Sequence, residues 1–464
     1  MKIAADIPGW FLGMGGKILT LLYWFGGWPV AMLLVSAGLF LTVRCGFLPL
    51  RRFFSVFRLT LGNLFFPGRG RSPAERGDIL PFQALTTALA ATVGTGNIAG
   101  VATAITLGGP GAVFWMWVSA FLGMTTKFAE IVLAVRFRVS SSGAAFAGGP
   151  MYALKHGLGS PGLGLAYAFF GAIAAFGIGN LVQANSVAVV LQSAFGISPL
   201  KTGILLALLI ALVILGGIRR IGKITEKLVP MMALLYIGGS LVVLLLSYQK
   251  IGPALAEIIG CAFTGCAAVG GFAGAGVLQA IRYGVIRGVF SNEAGLGSAS
   301  IAHAVAVTDH PVRQGLWGIV EVFIVSYIIC TLTALVLLVT GAWTGPLEGA
   351  SMTAAAFNSV LPVAGNVIVS TALVLFAFST LLSWSYYGEQ CFEYLFGGGR
   401  YLYRLLWTIG IIVGALGGLR PVWALADSLN ALMILPNLIG LLGMSDLLVR
   451  LNREFWKNNR LSRY

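Results

Sequence analysis

Charge is what this chain has least of. Asp, Glu, Lys and Arg together make up 10% of its 464 residues, where a soluble domain carries about a quarter. A hydrated shell cannot be assembled from that mixture, so a water-soluble globule is excluded. Histidine is scarcer still, with His156, His303 and His310 alone. No HExxH or GxSxG pattern accompanies them, so metallohydrolase and serine-hydrolase chemistry find no support and the chain reads as no enzyme. The five cysteines, Cys45, Cys261, Cys266, Cys330 and Cys391, lack CxxC spacing. In apolar surroundings they read as small packing residues rather than metal ligands or disulfides, and no cofactor is called for. The first residues, with one Lys and one Asp before Trp10, lack the basic, apolar and small-residue order of a cleaved leader, so this segment is expected to stay.

Apolar residues fill the space that charge leaves, at 58% of the chain. Glycine is also abundant, 63 residues against a usual share of about 7%, without a Gly-X-Y period. In apolar helices that means close packing or broken spans. A spanning helix needs about 20 mostly apolar residues. With that ruler the chain divides into eleven spans, the first over 30–47 and the last over 422–446. The net charge of +15 would suggest nucleic acid if it sat on one soluble face. Instead the basic residues fall in alternate loops, as in Arg51, Arg52 and Arg58, then Arg136 and Arg138, then Arg219, Arg220 and Lys223, and finally the tail from Arg450 to Arg463. This is the pattern that orients membrane proteins, with the basic side inside. It places the N-terminus outside and the C-terminus in the cytoplasm of a multi-pass cell-membrane protein. Nucleic acid is not an expected partner, and the lipid bilayer is.

One segment occurs twice. Residues 90–105 read AATVGTGNIAGVATAI and residues 266–281 read CAAVGGFAGAGVLQAI. Half of the aligned positions are identical: Ala91, Val93, Gly94, Ala99, Gly100, Val101, Ala104 and Ile105 match their counterparts. The two copies lie five spans apart and run in opposite directions across the membrane, which makes an inverted repeat. Gly94, Gly96 and Gly100 in one copy, and Gly270, Gly271, Gly274 and Gly276 in the other, weaken a helix at mid-membrane, each glycine costing up to about 1 kcal/mol relative to alanine. Unpaired backbone in lipid is costly, so such breaks survive where they line an enclosed site. A pair of breaks in inverted halves points to a midplane transport site, with half-helix N–H groups for a carboxylate and freed carbonyls for a cation. Small-residue packing helices are the alternative reading.

Other polar residues at membrane depth are candidates for function or for interhelical bonds. Gln83, Gln183 and Asn185 sit in apolar spans. Ser379, Thr380, Ser383 and Trp384 share one helical side, offering hydroxyl oxygens to a hard cation and an indole wall to a pocket. Lys127 and Glu130, three apart, are spaced for a neutralising pair. Glu321 and Asp427 are open between relay and packing roles. The run from Ile281 to Ala304 is too polar to span and reads as a cytoplasmic helix and turn around Asn292 and Glu293.

Four runs, PFQALTTALAATVGTGNIAGVATAI, GGPGAVFWMWVSAFLGMTTKFAE, RGVFSNEAGLGSASIAHA and SWSYYGE, resemble the alanine/glycine:cation symporter family, also described as sodium:alanine symporters. The resemblance extends from about Arg44 to Met444. It implies an all-α membrane protein of the leucine-transporter type, with two inverted five-helix repeats over 81–247 and 253–446. An extra helix over 30–47 follows an outside segment at 1–29, and a basic cytoplasmic tail fills 447–464. It implies sodium-coupled, in some members proton-coupled, uptake of small neutral amino acids such as alanine and glycine. Carried over by motif, Thr95, Gly96 and Asn97 would meet the substrate's carboxylate or ammonium, Gln183 and Trp384 would line the pocket, and Gln83 would be a weaker contributor. Sodium, as coupling ion, would sit between carbonyls near Ala91 and Gly94 and the hydroxyls of Ser379 and Thr380. The readings kept open beside it are proton coupling, an uncoupled facilitator or channel, and an intramembrane enzyme or sensor. Oligomeric state is not legible.

Overall fold

The structure is a computed structural model describing residues 28–62, 77–140, 146–264, 266, 273–417 and 419–461, with side chains for all of these except 194–195, 273–275, 419–428 and 459–461. Residues 1–27 of the expected outside segment, the basic residues Arg69, Arg71 and Arg76, and Gly270 and Gly271 of the second repeat copy lie outside them, as do the side chains of residues 273–275 and of Asp427.

The chain is a succession of helices. The principal ones are α1 (Trp28–Arg44), α2 (Pro81–Thr92), α3 (Val101–Gly108), α4 (Gly111–Arg136), α5 (Pro161–Ala174), α6 (Val182–Phe195), α7 (Pro199–Ile214), α8 (Gly217–Leu246) and α9 (Ile251–Thr264). They continue as α10 (Ala273–Asn292), α11 (Ser298–Ala304), α12 (Pro311–Val322), α13 (Thr331–Thr340), α14 (Gly349–Val360), α15 (Ala364–Phe396), α16 (Arg400–Leu416), α17 (Leu419–Gly443) and α18 (Ser445–Leu461). The local chemistry sets many of their limits. Proline opens α2, α5, α7 and α12, where its missing N–H would have had no partner anyway. Gly196, Gly341 and Gly397 close α6, α13 and α15 in the left-handed conformation that glycine adopts without strain. A two-stranded hairpin, Val139–Ser140 with Phe146–Ala147, follows α4.

Among the described residues, five helices are long and apolar enough to cross a membrane, or seven if two bent pairs each count as one span. Eleven spans were expected. The difference has a physical origin: α1, α7 and α16 hold 17, 16 and 17 residues, below the length of about 20 that spans a bilayer untilted. The expected span over 253–281 also crosses residues outside the described set. Of the bent pairs, α2 with the segment from Gly96 to Gly108 turns by 54° within an apolar run. The other joins α17 to α18, which carries Arg450, Arg453 and Lys457 and by its polarity suits a surface better than a bilayer. Leu205, Leu208, Leu212, Leu234, Leu245, Leu402 and Leu405 are exposed on α7, α8 and α16, an apolar outer surface of the kind lipid covers.

Helix α4 lies at the centre: most of its residues are buried, with an unbroken buried run from Leu122 to Val135, and it packs most heavily on α10 and α12. The α4–α10 contact is a glycine seam. A Cβ on Gly284 would run into the Ala112 carbonyl, and one on Gly288 into the Ser119 hydroxyl, so the backbones approach as only small residues allow.

Two expectations are corrected here. Cys261 and Cys266 form a disulfide, with Cα atoms 4.8 Å apart, within the reach such a bond needs; Cys45, Cys330 and Cys391 are buried free thiols. The polar run after Ile281 is helix and turn, as read, but it lies in the protein interior. Ser291, Asn292, Glu293, Ser298, Ser300 and His303 are all buried, and all of them make hydrogen bonds inside the protein.

Candidate functional site

The site begins where α2 stops. Thr92 is its last residue, Val93 turns out of helical geometry at φ −85 and ψ 85, and the chain resumes as a π-helical segment over Gly96–Gly100 before α3. Asn97 makes the break tolerable. Its side-chain oxygen accepts from the Gly94 N–H at 2.9 Å, its own N–H donates to the Gly94 carbonyl at 3.2 Å, and its amide reaches Cys330 Sγ at 3.4 Å. Such local side-chain bonding is the alternative to helix that Asn offers. Residues 84–98 are all buried, so the break is enclosed by protein, as an interrupted helix in a membrane must be. The Thr95 hydroxyl is buried there with no hydrogen-bond partner among the described residues.

Helix α15 closes the break from the other side. Ser379 Oγ and Thr380 Oγ1 each approach the Ala90 carbonyl at 3.1 Å, and Thr380 Oγ1 also reaches the Ala91 carbonyl at 3.5 Å. One turn on, Ser383 donates to the Thr87 carbonyl at 2.7 Å. Gly94 stands against the same group, since a Cβ there would be 3.0 Å from Thr380 Oγ1. Four neutral oxygens converge, a donor set suited to a hard monovalent cation. Ala91, Gly94, Ser379 and Thr380 are therefore brought together; the Ala90 carbonyl, not singled out in the sequence, joins them.

Trp384 follows on α15. Its indole N–H donates to Glu293 Oε1 at 3.0 Å, and its side chain packs on Gly179, where no Cβ would fit. Gly179 belongs to a second π-helical segment, Ala175–Leu181, between α5 and α6. At its end Gln183 Nε2 donates to the Ile178 carbonyl at 3.0 Å, while its Oε1 is buried with no partner among the described residues. Such π-segments recur at functional sites because they loosen one carbonyl from the ladder. Gln83 stands apart. It precedes Ala91 by eight residues, about 12 Å along a helix, and is committed to the start of α2, accepting from Leu80 N at 3.0 Å and donating to Glu226 on α8 at 2.9 Å. Asn185 is also engaged elsewhere, donating to the Gly414 and Gly417 carbonyls at the end of α16.

The buried charges are arranged differently from the Lys127–Glu130 pair that their spacing allows. Lys127 faces Glu321 on α12, Nζ to Oε1 3.3 Å, and His303 Nε2 lies 3.5 Å from the other Glu321 oxygen. Glu130 Oε1 instead accepts from the backbone N–H of Gly295 and Gly297, at 2.8 and 2.9 Å, and from Asn437 on α17 at 2.8 Å. Three donors on one oxygen outcompete an i,i+3 contact with a lysine that has a better-placed partner. Glu293, read in the sequence only as part of a turn, meets a partner that reading did not supply, the Trp384 indole. The legible signal was an acid two residues before the Gly-x-Gly of EAGLG.

Residues 17–463 match the profile of the sodium:alanine symporter family. The chain is 50% identical over 433 residues to the sodium/alanine symporter AgcS of Methanococcus maripaludis, covering 91% of this chain and 93% of that one. It is 35% identical over 432 residues to the probable sodium/glutamine symporter GlnT of Bacillus subtilis, covering 92% and 88%. Among solved structures, a variant of the Eremococcus coleocola manganese transporter aligns with a TM-score of 0.50 at 15% identity over 77% of this chain and 76% of that one, a likeness of fold alone.

Proposed function

Since the chain belongs to the sodium:alanine symporter family, we propose that it is a secondary active transporter that couples sodium entry to uptake of small neutral amino acids, alanine and glycine first. The observation that carries this reading is the convergence of the Ala90 and Ala91 carbonyls with the Ser379 and Thr380 hydroxyls at an enclosed helix break. A sodium ion held there would join α2 to α15 and order the break, completing the adjoining amino-acid site. In that site the Thr95 hydroxyl, the backbone at Gly96 and Asn97 would meet the substrate's charged groups. Gln183 would offer its free Oε1 to the ammonium. The Trp384 wall, pressed on Gly179, would keep the pocket small. Volume is the available means of selection, because each further methylene is worth only about 1–3 kcal/mol.

Alternating access follows from the architecture proposed with it: inverted repeats over 81–247 and 253–446, the helix at 30–47 outside them, the N-terminus outside and the basic loops and C-terminus in the cytoplasm. The driving force is the sodium gradient with the membrane potential, about 2.3 kcal/mol per charge per 100 mV.

The test is uptake of labelled alanine by proteoliposomes containing the purified chain. Accumulation above equilibrium with an inward sodium gradient, absent in potassium, supports the proposal. Accumulation driven only by an imposed pH gradient transfers the coupling to protons. Equilibration without accumulation leaves a facilitator, and accumulation of glutamine but not alanine rejects the substrate assignment.

A further inference from the structure

Glu293 occupies a position that its backbone does not favour. Its φ is +55, the left-handed region where Gly or Asn is at ease and other residues are strained. Such strain persists where the surroundings impose it, and it collects at functional sites. What the position gains from a glutamate is a carboxylate, and that carboxylate is buried and fully directed. Oε1 accepts from the Trp384 indole at 3.0 Å and Oε2 from the Ser298 hydroxyl at 2.6 Å. The turn it begins is tied down on every side. Gly295 and Gly297 donate to Glu130, Asn437 donates to the Gly295 carbonyl, and Tyr167 on α5 donates to the Leu296 carbonyl. Just before it on α10, Phe290 lies against Gly96 and Ser291 Oγ approaches the Gly96 carbonyl at 3.4 Å. The turn therefore touches both the break after α2 and the indole beside it.

The charges around Glu293 do not balance. Facing it are Lys127 and Glu130 from α4, Glu321 from α12 with His303 from α11 behind it, and the phenols Tyr167 of α5 and Tyr387 of α15. Lys127 is committed to Glu321. Glu130 has three N–H donors on one oxygen, which offset part of the cost of its burial. Among the described residues Glu293 makes no ion pair of its own, and its Ser298 partner is a hydroxyl that can accept as well as donate. A buried carboxylate without countercharge is strongly disfavoured, so Glu293 has reason to carry a proton.

We propose that Glu293 is a protonatable positioning residue of the transport site, setting the orientation of the Trp384 indole and making amino-acid affinity depend on pH. This rests on the proposed transport function for its consequence, though not for its first readout. With the proton bound, the bond to the indole weakens. With it lost, the ionised oxygen draws the indole N–H and holds the ring.

The experiment is a pH titration of tryptophan emission on the purified full-length protein in detergent, without sodium or amino acid, between about pH 5 and about pH 9. The Trp384 contribution is taken as wild type minus Trp384→Phe. A pH-dependent Trp384 emission in wild type, abolished in Glu293→Gln, is expected; a Glu293→Gln protein that titrates like wild type overturns the proposal. Sodium-dependent alanine binding is then measured over the same range. The wild-type dependence should flatten to under about threefold in Glu293→Gln and equally in Trp384→Phe, with no further change in the double variant, since residues acting as one unit are not additive. A uniform loss of affinity that leaves the pH slope unchanged would show a merely structural role. If Glu293→Gln fails to fold, Trp384→Phe decides alone, and an undiminished pH slope in it overturns the proposal. Absence of any alanine binding in wild type would reject the transport reading while the emission titration still judges Glu293.

Discussion

Lys127 and Glu321 face one another across 3.3 Å, and neither side chain has any exposed surface. A buried pair of this kind contributes little over an apolar pair of the same volume, but removing one partner strands the other charge, at about 3–5 kcal/mol. Lys127→Met or Glu321→Leu alone should therefore lower thermal stability in detergent sharply. The combined variant should recover much of that loss, and a double variant as unstable as the sum of the two would contradict the pairing.

The two α15 hydroxyls should report on sodium. Bonds to charged groups are worth about 1.5–3 kcal/mol, so Thr380→Ala should raise the sodium concentration for half-maximal alanine uptake by about tenfold to a hundredfold. Ser379→Ala should act in the same direction, and Thr380→Ser should restore most of the loss. A Thr380→Ala protein with wild-type sodium dependence would remove these oxygens from the ion's path.

Gly179 and Gly100 give a matched contrast. A Cβ on Gly179 would strike Trp384, whereas one on Gly100 would meet nothing within 4 Å. Gly179→Ala should therefore displace the indole and weaken alanine affinity by tenfold or more, on the scale of an overpacked site costing about 1–3 kcal/mol, while Gly100→Ala leaves affinity within about twofold. Equilibrium binding of labelled alanine distinguishes the two.

What the sequence showed of this site depended on distance along the chain. The break at Gly94, Gly96 and Asn97 was legible because glycine and asparagine disturb a helix locally, and Ser379 with Thr380 because helical spacing puts them on one side. The partners of Glu130 were not: Gly295, Gly297 and Asn437 lie 165, 167 and 307 residues away, and only the local i,i+3 lysine was in view. The partner of Glu293 was hidden for the same reason, the indole being 91 residues on. Gln83, a polar residue at the start of an apolar run, reads like a ligand in sequence, and the structure places it at the start of α2 bonded to Leu80 and Glu226.

His310, outside the spans, caps α12 by accepting from the Val312 N–H through Nδ1 at 3.2 Å. Burial holds its imidazole below the usual range, with Asp309 opposing and Arg313 reinforcing that shift. The folded chain then binds this proton less readily than the unfolded one. The cap's stabilisation is thus present above about pH 6.5 and lost as pH falls through the folded value. The melting-temperature difference between wild type and His310→Ala should shrink toward acid. His310→Asn, which caps without titrating, should show no such trend.

The glycine seam between α4 and α10 limits how the protein can move. Where a ring or a branched side chain lines an interface, helices can slide by exchanging rotamers. At Gly284 the α10 backbone lies against the Ala112 carbonyl and the root of the Trp115 side chain, and at Gly288 against the Ser119 hydroxyl and the Met116 backbone, contacts too close to leave room for sliding. A slip of one residue, about 1.5 Å, would drive main chain into main chain. Shear between these two helices is thereby opposed, which favours a large displacement that carries them together as a single lever, turning on the side-chain-filled contacts that surround them.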